Sequence, residues 1–323
     1  MTNQLLALSK INGIGPKSMI EIALYFQDNS VTDFLAINQE HFFNSIKLNS
    51  KQKQVIQNLL DDNGFNILVD EANNEILELE RMNIKIVGYN ETTYPQYLKY
   101  LDDAPMFLYC KGNISLLGNA KNVAVVGTRD NTEYGKLITQ KTVEFLVKND
   151  YCIVSGLALG IDTIAHKSSL EYLGKTIAVL VDVNDITPKS NKQLAQSILD
   201  NGGLLVAENS PKKQVIPALF AKRDRIQTGL SLAVFPIETG LNGGTFYAIN
   251  TGVKINRNIF APDVYRSGYK DINIKQLDGI RSIIDSKIAF AYTKIDYPQI
   301  LNLLDQKKII LDTLQNKHEG TLF

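Results

Sequence analysis

Apolar residues change their spacing near residue 83. Before it they recur at helical intervals. Leu5, Leu6 and Leu8 precede the break Asn12-Gly13-Ile14-Gly15-Pro16, and Ile20, Ile22, Ala23, Tyr25 and Phe26 mark a second amphipathic helix. Pro16 suits a first helical turn, where its missing N–H costs nothing. The spacing predicts further helices over 31–37, 51–60 and 70–82, with no strand alternation between them. From Ile84 the pattern is different. Residues 84–88 predict a short strand, followed by a tyrosine-rich connector, TTYPQYLKYLDDAPMFLYCKGN. Apolar runs at 123–126, 152–154, 176–181, 204–207, 232–237 and 258–261 then alternate with helical stretches at 134–148, 161–173, 191–200, 217–228 and 245–252. Repeated βα units with uniformly apolar strands predict an α/β fold with a doubly wound, mainly parallel sheet. Right-handed crossovers put the carboxyl ends of such strands on one edge, where ligands bind. The expected organisation is a small helical domain over 1–82, an α/β domain over 83–298 and a helical tail over 299–323.

Charge and composition narrow the function. The 323 residues are 44% hydrophobic, enough for a sizeable core, and the formal net charge is zero. A globally basic nucleic-acid-binding surface is excluded, so any anion site must be local. The 3 histidines and 2 cysteines are scattered without the spacing of a metal site or a disulfide framework. That suits a reduced, cytoplasmic protein with no metal. The start, MTNQLLALSK, lacks the apolar region of a signal peptide. No apolar run approaches the roughly 20 residues that span a bilayer. Tryptophan is absent, which leaves stacking to Phe, Tyr and Arg.

The candidate chemistry follows the strands. Gly127-Thr128-Arg129 comes after the first, Ser155-Gly156 with Gly160-Ile161-Asp162 after the second, and Pro188-Lys189 after the third. Glu208-Asn209-Ser210 comes after the fourth and Asn242-Gly243-Gly244-Thr245 after the fifth. Three of these junctions combine glycine with a hydroxyl residue just before a helix, the arrangement by which backbone N–H groups and a helix N-terminus hold phosphate. Each alone also reads as an ordinary tight turn; their expected meeting on one edge is the signal. The G-x-G-x-x-G of a dinucleotide fold is missing, as is the G-x-S-x-G of a nucleophile elbow. His166, inside a helix beside Ile164 and Ala165, reads as a packing or capping residue.

In PALFAKRDRIQTGLS, Lys222, Arg223 and Arg225 cluster beside Phe220, opposed locally only by Asp224. Such a helix could neutralise phosphates and stack a base. Gly13-Ile14-Gly15 could offer amides to a DNA phosphate as a helix-hairpin-helix turn, or simply join two helices.

Taken in order, VAVVGTR with YG after it, IVSGLALGID with His166 beyond, GKTIAVL, AENSP and F-x-x-R-x-R-I-x-x-G-L-S resemble the DNA-processing protein A family, also called Smf. The resemblance covers about residues 90 to 285. It implies an extended Rossmann-like domain preceded by a helical, SAM-like leader. It also implies sequence-independent single-stranded DNA binding, protection of strands in natural transformation, loading of the RecA recombinase and a homodimer, with no catalytic reaction and no cofactor. The DNA contacts it implies fall on Gly127, Thr128, Arg129, Ser155, Gly156, Lys189, Phe220, Lys222, Arg223 and Arg225, with Gly243, Gly244 and Thr245 as the altered glycine loop.

The chain departs from the family pattern at several points. Thr187-Pro188 replaces Tyr-Pro, and Arg223-Asp224-Arg225 replaces Arg-Asn-Arg, adding a negative charge to the phosphate path. Asn242-Gly243-Gly244-Thr245 replaces Ser-Gly-Ser/Thr, Pro262-Asp263 replaces Pro-Gly, and no C-terminal winged helix is expected. These departures allow a divergent paralogue in mobile-element or defence function. Two other readings stay open. ETGLNGGTFYAI loosely resembles the loop of phosphoribohydrolase-like nucleotide-processing enzymes, though without its trailing glutamate. A scaffold that has lost DNA affinity would fit the neutral charge and Asp224.

Overall fold

The structure is a computed structural model that describes residues 1–61, 64–211, 214, 216–268 and 274–320, without the side chains of 61 and 315–320. The chain divides into two compact units. Met1–Tyr94 with Asp103–Cys110 forms the first, and Pro95–Asp102 with the chain from Lys111 onward forms the second.

The first unit contains α1 (Thr2–Ser9), α2 (Pro16–Asp28), α3 (Gln39–Ser45), α4 (Ser50–Asp61) and α5 (Gly64–Arg81). Its core gathers Leu5, Leu8, Ile22, Phe26, Phe34, Phe42 and Phe65, all essentially buried. Phe34 makes edge-on contacts with Phe42 and Phe65 at centroid distances of 5.2 and 5.1 Å. The helix expected over 31–37 is only a 3₁₀ turn, Phe34–Ala36, because the Asp33 carboxylate accepts from the Leu35 N–H and caps the chain locally. In the Gly13-Ile14-Gly15 turn, the Gly13 carbonyl is taken by Gln52 Nε2 at 2.8 Å. The tyrosine-rich connector hides a strand. β1 (Lys85–Gly88) pairs antiparallel with β2 (Phe107–Gly112), Lys85 opposite Cys110 and Gly88 opposite Phe107. Through this pairing β1 and residues up to Tyr94 group with the helices, whereas the change of apolar spacing puts the division at 82/83.

The second unit runs β3 (Asn122–Val126), α6 (Glu133–Val147), β4 (Cys152–Ser155), α7 (Ile161–Glu171), β5 (Thr176–Leu180), α8 (Lys192–Asp200) and β6 (Leu204–Ala207). It continues with α9 (Ala218–Gly229), β7 (Ala233–Pro236), α10 (Phe246–Lys254), β8 (Asn258–Pro262), α11 (Asp278–Asp285), β9 (Phe290–Tyr292) and α12 (Tyr297–Gly320). The strands lie in the order β6-β5-β4-β3-β7-β8-β9, all parallel. This is the doubly wound α/β sheet that the alternating pattern predicts. The chain starts at the centre on β3, winds outward to β6, then returns to β7 on the other side of β3. The junction of β3 and β7 is therefore the switch point, where such sheets open a crevice.

Strand alternation divides the core between two faces. Val123 and Val125 of β3 pack with Val143, Leu146, Ile161 and Ala165 of α6 and α7, whereas Ala124 and Val126 pack with Ile249 of α10 and with Ile280 and Ile283 of α11. The tail expected as a separate element belongs to the first of these faces. Ile300, Leu304 and Leu311 of α12 are buried with Phe235 and Phe260. Each such side chain contributes on the order of 1.5–3 kcal/mol of burial free energy. Neither α11 nor β9 stood out in the sequence; one is two turns long and the other three residues. Among the described residues, no helix is long and apolar enough to cross a membrane.

Candidate nucleic-acid interface

Parallel strands bring the loops after β3, β4, β5 and β7 to one edge, where the N-terminal half of α9 closes over them. Two adjoining cavities result. The first, about 430 Å³, is lined by Gly127, Thr128, Arg129, Asp162, Phe220, Arg223, Asp224, Gln227 and the segment Gly243-Gly244-Thr245. The second, about 390 Å³, runs past Gly156, Leu159, Thr187 and Pro188. They share Arg129, Ala158, Pro217, Phe220 and Arg223, so the crevice is one continuous groove along the sheet edge.

Backbone ties hold the loops in register. The Thr128 N–H donates to the Glu238 carbonyl at 2.8 Å, and the Ile161 N–H donates to the Thr128 carbonyl at 3.1 Å. Gly160 sits at φ +76° with its Cα against the Thr128 and Arg129 backbone, a position that only glycine fills without strain. Glu238 is fully buried, and its carboxylate accepts from the Thr132 N–H at 2.9 Å and the Thr132 hydroxyl at 2.6 Å. This carboxylate fastens the loop after β3 to the loop after β7. Its partners lie about a hundred residues earlier in the chain, so sequence reasoning gave it no role.

The cations divide into two kinds. Arg129 is exposed and makes no hydrogen bond or ion pair with a described residue. The others are already engaged. Lys189 pairs with Asp185, and Lys222 reaches Glu208 at 3.3 Å. Arg225 grips the same Glu208 carboxylate twice, at 3.2 and 2.8 Å, and is absent from the groove lining. Arg223 is 6% exposed; it donates to the Val179 carbonyl at 2.7 Å and lies 3.2 Å from Asp224 and 3.8 Å from Asp162. The basic cluster expected to be opposed only by Asp224 is thus opposed by Glu208 and Asp162 as well. Those carboxylates come from other βα junctions and could not be paired from sequence.

Ser155 also differs from expectation. It is buried and donates its hydroxyl to the Val125 carbonyl at 2.7 Å, so that hydroxyl is spent inside the sheet. Thr128 lines the groove and accepts from the Asp130 N–H at 3.2 Å. Gly156 lies under the Arg223 guanidinium so closely that a Cβ would collide with it. Gly244 faces open space, and Thr245 stands just before α10 with its side chain on the groove wall. Phe220 is half-buried and lines both cavities.

Burial shapes the titrations. The Asp224 carboxyl is pushed up to about 6 by burial and by neighbouring Asp162, against the opposing pull of Arg223 and Arg129. Burial also raises Asp162, again against Arg223. His166 is buried behind the groove with Nδ1 2.7 Å from the Thr176 hydroxyl, and burial drives it down to about 3. A neutral, enclosed histidine fits the packing role read from sequence.

Comparison with known proteins places this geometry. A family model described as DNA recombination-mediator protein A matches residues 85–304. Protein Smf of Borreliella burgdorferi is 30% identical over 71% of this chain and 73% of its own length. DNA processing protein DprA of Streptococcus pneumoniae is 39% identical over 52% of this chain, which spans 59% of that protein, less than two thirds of it. The crystal structure of the pneumococcal protein covers 91% of this chain with a TM-score of 0.73 and 27% identity. A structure of DNA processing protein A from Helicobacter pylori, reported for its single-stranded DNA binding mode, covers 72% with a TM-score of 0.57 and 26% identity. The chain belongs to the DNA recombination-mediator protein A family.

Proposed function

We propose that the groove binds single-stranded DNA through its backbone, with little overall dependence on sequence. The observation that carries the reading is the continuity of two cavities along the sheet edge, joined at Arg129 and Phe220. A strand laid there meets an unpaired guanidinium, the groove-lining glycine loops and an aromatic face, a combination that suits phosphates and unstacked bases. The single-stranded DNA binding reported for the Helicobacter pylori relative supports the same ligand. On this reading the protein is not an enzyme. It covers strands in the cytoplasm during recombination or transformation and, as its resemblance implies, delivers them to RecA as a homodimer.

The test is oligonucleotide binding by Arg129→Ala combined with Phe220→Ala. Affinity for mixed-sequence single strands should fall at least about tenfold, since the lost stacking contributes on the order of 1–3 kcal/mol and the lost phosphate contact adds to it. Unchanged affinity would place the site elsewhere.

A further inference from the structure

The floor and the rim of the groove have opposite chemistry. The rim carries Arg129 and the glycine loops. Under it, Arg223 stands between two carboxylates, 3.2 Å from Asp224 and 3.8 Å from Asp162. One guanidinium between two carboxylates leaves no positive charge for a phosphate. What remains on the floor is acceptor capacity. Asp224 Oδ1 is occupied by Gln227 Nε2 at 2.8 Å, whereas Oδ2 makes no hydrogen bond with a described residue. Gln227, on the same wall, is 1% exposed and keeps its Oε1 without a partner. A ligand that completes this floor has to bring N–H donors.

Phe220 stands four residues before Asp224 on α9, so both side chains project from one helix face into the 430 Å³ cavity. A base stacked on Phe220 would turn its hydrogen-bonding edge along that face, toward the carboxylate. Nucleobases differ in what they show there. Guanine presents two adjacent N–H donors, N1–H and the 2-amino group, which match the open Oδ2 and the second lone pair of Oδ1, the first being taken by Gln227. Adenine and cytosine set one amino group beside a ring-nitrogen acceptor. Thymine flanks its single N–H with two carbonyls, which a carboxylate repels.

We propose that Asp224 is a specificity-determining residue that reads one guanine of the bound single strand, with Phe220 as its stacking platform. This rests on the groove being the single-stranded DNA site. Phosphate contacts at the rim set most of the affinity, and the floor adds a preference at one base position.

The experiment compares oligothymidylate strands carrying one central guanine, adenine, inosine or 1-methylguanine, at pH 7.5 and constant salt. The guanine strand should bind about tenfold more tightly than all-thymine, the discrimination typical of a matched two-point base contact. Inosine, lacking the 2-amino group, should fall between them, and 1-methylguanine should lose the gain. Asp224→Asn should level guanine and thymine strands. Adenine binding as tightly as guanine would mean that stacking alone discriminates and would overturn the assignment. So would free dGMP binding more tightly than the guanine strand, which would make the ligand a mononucleotide. Equal, measurable binding of every strand would overturn the guanine reading and leave the groove as the DNA site. Failure of all strands to bind at low salt would overturn both. The base-analogue arms use the unaltered protein, so the result stands even if Asp224→Asn folds poorly.

Discussion

Arg129 and Arg225 read alike in sequence, yet their surroundings predict different defects. Arg129 is exposed on the groove and unpaired, whereas the Arg225 guanidinium is 10% exposed and held by both oxygens of Glu208. A cation that neutralises one phosphate of a single strand contributes about 0.7 to the slope of log affinity against log salt. Arg129→Ala should therefore make that slope shallower by about 0.7. Raising salt from about 50 to about 200 mM should shrink the advantage of the unaltered protein over the variant about 2.6-fold. Arg225→Ala should leave the slope unchanged and instead cost stability, on the order of 1–3 kcal/mol, because Glu208 loses its paired donors. Fluorescence anisotropy with a mixed-sequence single strand across that salt range measures the first effect, and urea unfolding the second. An unchanged slope in Arg129→Ala, or a shallower one in Arg225→Ala, would refute the division of the cations into free and engaged.

Other consequences are open to direct measurement. Gly156→Ala should expel the Arg223 guanidinium from its place over the loop and break its bond to Val179, lowering stability by about 1–3 kcal/mol and weakening strand binding together; a urea midpoint like that of the unaltered protein would contradict this. Leu304→Ala should cost about 2–5 kcal/mol, since the residue is fully buried against the sheet; a detachable tail would show almost none of that loss. Asp224, surrounded by Arg223, Asp162, Arg129 and Gln227, has a folded pKa of about 6, above its unfolded value. Its contribution to stability is present below about pH 4 and lost as pH rises through 6, so the stability of the unaltered protein relative to Asp224→Asn, measured by unfolding, should be greater at pH 5 than at pH 7. His166 acts in the opposite sense. Its folded pKa of about 3 means that stability is lost as pH falls below about 6.5, and calorimetry on His166→Gln should show that acid sensitivity reduced.

Periodicity carried the α/β sheet because its strands are apolar throughout and its helices amphipathic, and both signals are local. The loops after β3, β4 and β7 were legible as neighbours for a further reason: parallel βα winding leaves them no other place. What escaped was non-local or weakly patterned. The strand Phe107–Gly112 sits among tyrosines and prolines and is defined only by pairing with Lys85–Gly88. The 31–37 stretch has apolar residues at helical spacing, but one aspartate cap decides the backbone. In the groove, the identity of the lining residues was readable and their state was not. Lys222, Arg223 and Arg225 look like free cations until Glu208 and Asp162 are brought in from other junctions. Ser155 looks like a phosphate ligand until the Val125 carbonyl is seen to hold its hydroxyl.

The central claim is that the sheet-edge groove holds the backbone of single-stranded DNA. It is tested most directly by titrating salt against binding of matched single- and double-stranded oligonucleotides to the unaltered protein. The account predicts tighter binding of the single strand at every salt concentration, with log affinity falling linearly against log salt. Equal affinity for the duplex, or single-strand affinity indifferent to salt, would contradict it.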